Sequence, residues 1–534
     1  MADYNRLRTP FVNMSFTPDV PSNALGTNEY NSGRNVEADV RGIKKIGGEQ
    51  AILSAIPGHP VFMDGGFRNS SIWSYIVATR EGKWYLVTAT GISNITPGVG
   101  ANPNVALSGY SDDINITTSW VGNVFFINDG LRNPMYFLPT ATEIALTLNA
   151  QWNYTPGATA TRAGFVRNFC SPNVGNILIA GNITQDLSTG LTVNYPTTVR
   201  WSQAFADTGI PGTWVPTLSN IANEQEIPVR GPIIDGFFLG GCFYVCSYWD
   251  TVVFSPIAYQ NSTAPIFGVR LLNQGRGLIN NNCWTNTDAN VYGVDSRDIW
   301  VFDGTNFNSL GNQKVRDYFF ANLSPTYSDR IFVVNNTQKN QIEVYYPNLT
   351  STGWCNQMLS WRYDLNVWNA PKDIANACDA CEAPKLVFGS FKYASRTITY
   401  AQGGVDSSQL IQTNVGNSFI NAAPIPTLFE RNNVSLQTDK GPVPYSAKVY
   451  IHRILPEVAG TGSLDITIGG SNSTAQPAVY GQTGHTTIVT DNPWVTTQQN
   501  NVRTISVKVE SNDATDTWNL TALNWQATIV EDAF

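Results

Sequence analysis

Short apolar runs separated by polar reversals recur along most of the chain. The clearest case is residues 291–310, VYGVDSRDIWVFDGTNFNSL. Val291, Tyr292 and Val294 form one run, and Ile299, Trp300, Val301 and Phe302 form the next. Asp295, Ser296, Arg297 and Asp298 make the polar reversal between them. Asp303-Gly304 closes the second run, because glycine tolerates the positive φ of a tight turn. β-Branched and aromatic residues bounded by Asp, Asn and Gly predict a β-hairpin.

The same form recurs at 75–87, 124–138, 176–180 with 199–202, 241–254, 331–346, 361–368 and 386–400. Successive units start roughly 40 to 50 residues apart, the period of blades in a β-propeller. Helix is predicted only over 142–150 and 312–323, where Val315, Phe319 and Leu323 share one face at i, i+4 and i+8. Residues 1 to about 50 are rich in Pro, Asn and Gly and lack periodicity. They are expected to be extended, docked on other parts of the chain or on a neighbouring subunit. After 405–430 the strands alternate more cleanly. Val502, Thr504, Ser506 and Lys508 set against Arg503, Ile505, Val507 and Val509 predict one buried face in a β-sandwich. The expected fold is therefore all-β: an extended N-terminal arm over 1–55, an irregular β-propeller body over 56–410, and a C-terminal antiparallel β domain over 425–534.

Composition sharpens this. Charged residues are only 13% of the 534, so Asn, Thr, Ser and Gln must cover much of the surface. These residues favour turns and extended structure over solvated helices. The net charge of −8 speaks against tight nucleic-acid binding, which needs clustered Lys and Arg. No apolar segment follows a basic one at the start, and no run approaches the roughly 18 apolar residues of a membrane span. A soluble protein made in a reducing cytoplasm is expected, and the N-x-S/T triplets (Asn69, Asn94, Asn115, Asn348, Asn519) then follow from abundant Asn and Thr.

Candidate chemistry is thin. Cys378 and Cys381 form a C-x-x-C, read as coincidence or as a loop pair of free thiols, because no second pair matches it and His59, His452 and His485 are scattered. Cys242 and Cys246 read as small apolar strand residues. Asp303 to Phe307 departs from the sialidase Asp-box, lacking its Ser and the residue between Asp and Gly. Glycoside hydrolysis needs two carboxylates. Asp235, Asp250, Asp295, Asp298 and Asp303 are available, most of them at predicted turns, where Asp is structural. Trp73, Trp84, Trp120, Trp201, Trp249, Trp300, Trp361 and Trp368 could stack on sugars but are read as blade core. No catalytic, cofactor-binding or metal-binding residue is selected, no cofactor is expected, and the chain is expected not to be an enzyme.

Several motifs together resemble the tail nozzle proteins of short-tailed bacteriophages. They are the Pro- and Asn-rich lead ending in GRNVEADVRGIKKIGG (33–48), VFFINDGLRNPMY (124–136) and VRWS (199–202) followed by Trp214. VYGVDSRDIWVFDGTNFNSLG (291–311) then VRDYFF (315–320) is similar to a late blade and its helix. The sandwich-like region is also similar. The resemblance implies a structural virion protein: a homohexameric tube below the portal and adaptor rings. It would be a conduit for DNA ejection that does not bind DNA specifically, with fibres or a needle attached and no membrane span. It implies assembly in the cytoplasm of the infected host, with the N-terminal arm as an inter-subunit clasp. The alternative is a carbohydrate-binding or glycan-depolymerising β-propeller, which a close carboxylate pair in a wide aromatic cleft would favour.

Overall fold

A computed structural model describes residues 5–69, 72–97, 109–146, 151–257, 266–434, 436–438, 441–443, 446–473, 476–487, 494–496 and 502–531. The hairpin over 291–310 shows how the sequence builds each unit. Strands Val291–Val294 and Ile299–Phe302 pair antiparallel, with Val291 opposite Phe302 and Val294 opposite Ile299. Asp295 Oδ1 accepts the backbone N–H of Arg297 at 2.7 Å and of Asp298 at 2.8 Å, so the turn satisfies its own donors. Arg276 clamps the turn from below, reaching Asp295 and Asp298 at 2.9 Å each. Gly304 sits at φ 93°, and Asp303 Oδ1 accepts from Thr305 and Asn306. Trp300 is fully buried and lies across Gly293, where any Cβ would strike the indole.

Seven blades of this kind surround one axis. Their innermost strands are Pro60–Asn69, Thr117–Val121, Ala158–Ser171, Ile233–Leu239, Trp284–Asn286, Phe332–Asn336 and Lys372–Val387. The body is thus a β-propeller, and an irregular one. The second blade has three strands, and the third carries a long hairpin, Ala158–Ser171 with Gly175–Leu187. The last two blades fuse into one sheet where strand Cys355–Arg362 pairs with Lys372–Val387. The ring closes through the N-terminal region: strand Glu49–Ile52 forms the outer edge of the seventh blade, against Leu410–Thr413, and the chain then enters the first blade.

Two further sheets form the sandwich. One contains Ala447–Thr461, Thr517–Glu531, Val36–Asp39 and Gly42–Lys45, with Asn5–Pro10 along its other side. The other contains Val479–Thr487, Ser463–Ser471, Thr504–Ser511, Thr427–Val434 and Ser32–Arg34. Between them pack Trp525, Leu520, Ile451, Ile466, Val507 and Phe429, in the same core that holds Trp300 and Tyr346 of the blades.

Residues 5–52 therefore dock on their own chain and are shared between both bodies. Phe11, Met14, Phe16 and Tyr30 are buried at the joint. Glu37 is buried there too. Burial alone would raise its pKa, but Lys339 at 2.7 Å and Lys44 at 3.5 Å outweigh burial and hold the carboxyl down to about 2. Asn35, at φ 56°, bonds Asp373 at 2.6 Å and the Pro426 carbonyl at 2.8 Å, tying blade to sandwich.

The helix over 312–323 is observed as Arg316–Asn322, with Val315, Phe319 and Leu323 buried as their spacing requires. The helix expected at 142–150 is not formed in its described part; Ala145 instead bridges Tyr136 of the second blade, and 147–150 lie outside the described residues. The strand Thr504–Ser511 is buried on both faces, with Thr504 and Ser506 as well as Ile505, Val507 and Val509 out of solvent, and it is central in its sheet. Among the described residues no helix is long and apolar enough to cross a membrane.

Candidate axial site

The inner strands converge on a cavity of about 320 Å³ along the propeller axis. Inner strands face this axis because their side chains alternate, so one face of each must point inward. The walls combine Trp120, Phe238 and Trp284 with Asp64, Arg167 and Asp379. A smaller cavity of about 40 Å³ continues towards the opposite end of the axis, sharing Asp379 and Asn282 with the first.

Arg167 organises one side. Its Nε donates to Asp235 Oδ1 at 2.9 Å and its Nη2 to Asp235 Oδ2 at 2.6 Å, a bidentate pair with Asp235 fully buried. Nη1 donates to the Thr118 carbonyl at 2.9 Å and Nη2 to Asn282 Oδ1 at 2.7 Å. Asp235 also accepts the Trp284 indole N–H at 2.8 Å and the Asn282 backbone N–H at 3.2 Å. The second, third, fourth and fifth blades thus meet at one guanidinium–carboxylate pair.

Asp64 and Asp379 form the other side, on the first and seventh blades. Asp64 accepts from Thr118 Oγ1 and the Gly65 N–H, each at 2.7 Å. Asp379 accepts the Ala380 N–H at 2.8 Å. Burial pushes Asp64 above the usual carboxylate range. Burial, reinforced by the charge of Asp64, pushes Asp379 up to about 8. Neither makes an ion pair with a cationic side chain among the described residues. Chemically, this is a carboxyl pair holding a proton at neutral pH beside aromatic walls.

A stability consequence follows. Unfolded, Asp379 titrates near the ordinary value of about 4; folded, it keeps its proton up to about 8. The folded state therefore binds more protons between these values, and stability falls as pH rises through that window. Asp379→Asn removes this dependence. Relative to the parent, the variant is expected to gain about 4 kcal/mol between pH 5 and pH 9. Urea midpoints at both pH values measure it; an unchanged difference between parent and variant rules the assignment out.

The residues singled out by sequence fall elsewhere or have other roles. Asp235 is not at a turn but mid-strand on the axis. Asp250 pairs with Arg230 at 2.6 Å. Cys378 and Cys381 lie within strand Lys372–Val387, not in a loop, and burial raises both thiols well above their usual range. His59 meets Glu81 at 2.6 Å and His452 meets Thr528 at 2.9 Å, while the His485 side chain lies outside the described residues. Trp84, Trp201, Trp300 and Trp368 are core, but Trp249 is 46% exposed and not blade packing. Asp64 and Asp379 belong to no sequence motif of their own, Asp379 lying inside the C-x-x-C. A charged residue in mid-strand (PVFMDGGF, CDACEA) was the available signal.

The chain matches no family model and no curated protein. Among solved structures it is similar to the crystal structure of RRP9 WD40 repeats, at 6% identity and a TM-score of 0.40, covering 69% of this chain and 99% of that one.

Proposed function

We propose that the chain is a structural subunit of a phage tail nozzle, working as a homohexamer and without catalysis. The observation that supports this most is the way residues 5–52 join the two bodies. Their strands extend both sandwich sheets and close the seventh blade, and Glu37, Lys339 and Lys44 tie the joint. A conduit subunit must keep its shape under load, and a shared core with paired seams resists hinge motion. The tips of the first and seventh blades add a surface for a neighbour: Phe67 and Tyr393 lie 5.7 Å apart, and Phe388 is fully exposed. The net charge of −8 suits a wall past which DNA moves without sticking. Portal or adaptor rings and fibres or a needle are the partners of this reading. Electron microscopy of the purified protein is expected to show six-fold rings. A monomer by mass photometry, absent from virions, sinks the proposal.

The carbohydrate reading has one observation in its favour, Asp64 and Asp379 beside aromatic residues in one cavity. Release of reducing ends from host surface glycan by the purified protein is its measurement.

A further inference from the structure

The axial cavity carries more hydrogen-bond acceptors than its own chain satisfies, and a proton rather than a cationic side chain neutralises its carboxyl pair. Arg167 is neutralised by Asp235. Facing the smaller cavity, Arg330 is paired with Asp113, and Asp112 with Arg80. That leaves Asp64, Asp379 and Asp329 on the walls without a cationic side chain bonded to them among the described residues. Asn280 adds an independent sign. It is 4% exposed, its Nδ2 donates to the carbonyls of Ile331, at 2.8 Å, and Asp329, and its Oδ1 accepts nothing. It lines the smaller cavity with Asp379. A buried acceptor without a donor costs about 1–3 kcal/mol.

We infer that a guanidinium or primary ammonium group binds at Asp379, where the two cavities meet, with Asp64, Trp120, Phe238 and Trp284 on the larger side and Asn280 on the smaller. Such a group brings several N–H donors and a positive charge, the two things the walls lack. The aromatic faces attract a cation further. A neutral polyol supplies donors but no counter-charge for the carboxyls once they ionise. A metal ion is disfavoured because no three His, Cys, Asp or Glu side chains converge in ligand geometry among the described residues.

Binding needs ionised Asp379, so the proton on it must leave. The groups around it are Asp64, Arg167, Asp329, Cys355, Cys378 and Cys381, with Asp112, Asp113 and Arg330 further along the smaller cavity. Burial keeps the thiols neutral, so the carboxyl groups set the response.

The test is isothermal titration of the full chain with butylguanidine, with butylurea as the uncharged isostere. The expected result is saturable binding of butylguanidine that tightens about tenfold or more from pH 6 to pH 9, and none of butylurea. Asp379→Asn is expected to weaken binding at least about tenfold and to flatten the pH profile, while Leu218→Ser, on an exposed loop, changes nothing. Should Asp379→Asn not fold, the pH and isostere comparisons on the parent chain still decide. An acetylated Ala-Arg-Ala peptide binding more tightly than butylguanidine assigns the cation to a protein partner; weaker binding assigns it to a free small molecule. Equal binding of butylurea, no saturation at about 10 mM butylguanidine at pH 9, or displacement of the probe by low calcium overturns the inference.

Discussion

Arg167→Ala is expected to lower folding stability by about 3–5 kcal/mol, because it strands Asp235 as an uncompensated buried carboxylate. Asp235 is fully buried, and its remaining partners, the Trp284 indole and backbone N–H groups, carry no full charge. The same substitution also removes the donors that hold the Thr118 carbonyl and Asn282 Oδ1. Arg167→Lys keeps the charge but loses the fork, so an intermediate loss is expected. The decisive comparison is the double variant Arg167→Met with Asp235→Leu, which removes both charges together. It is expected to be clearly more stable than Arg167→Ala, since the cost lies in the stranded charge rather than in the lost pair. Guanidinium chloride unfolding of the three proteins measures this. Equal midpoints for the single and double variants would falsify it.

Removal of residues 1–52 is expected to abolish the cooperative fold. The deletion strips Leu7, Phe11, Met14, Phe16, Tyr30, Val36 and Ile43 from the shared core. Burial of each such side chain contributes about 1.5–3 kcal/mol, so the sum exceeds the whole stability of an ordinary domain. It also uncovers both sandwich sheets and the edge at Leu410–Thr413, leaving open strands that invite aggregation. Limited proteolysis of soluble 53–534 is the readout. A soluble fragment as protease-resistant as the full chain would show that these strands are merely laid on a body that stands alone.

The hairpins were legible because their signals are local. Alternating apolar runs and Asp-Gly or Asn-Asp-Gly turns mark the blades whatever surrounds them, and Asp295 and Asp303 behave as turn residues do. The buried face of the helix followed from spacing alone. The helix expected near 142 failed because apolar periodicity over a few residues yielded to edge pairing with Tyr136. The axial site was hidden for a different reason. Asp64, Arg167, Asp235, Asn282 and Asp379 lie on five blades far apart in sequence, and only closure of the ring brings them together. Nor could composition show where residues 5–52 go: short, polar strands such as Ser32–Arg34 gain their stability from partners hundreds of residues away.

Those distant partners also constrain how the protein is made. Strand Asn5–Pro10 pairs with Thr517–Glu531, and Glu49–Ile52 with Leu410–Thr413. On the ribosome, the first strands emerge long before their partners exist. Leu7, Phe11, Met14 and Phe16 must wait unburied until nearly the whole chain has been synthesised. Folding dominated by such remote pairings is slow, and the waiting segment is open to chaperones, proteases or a second nascent chain.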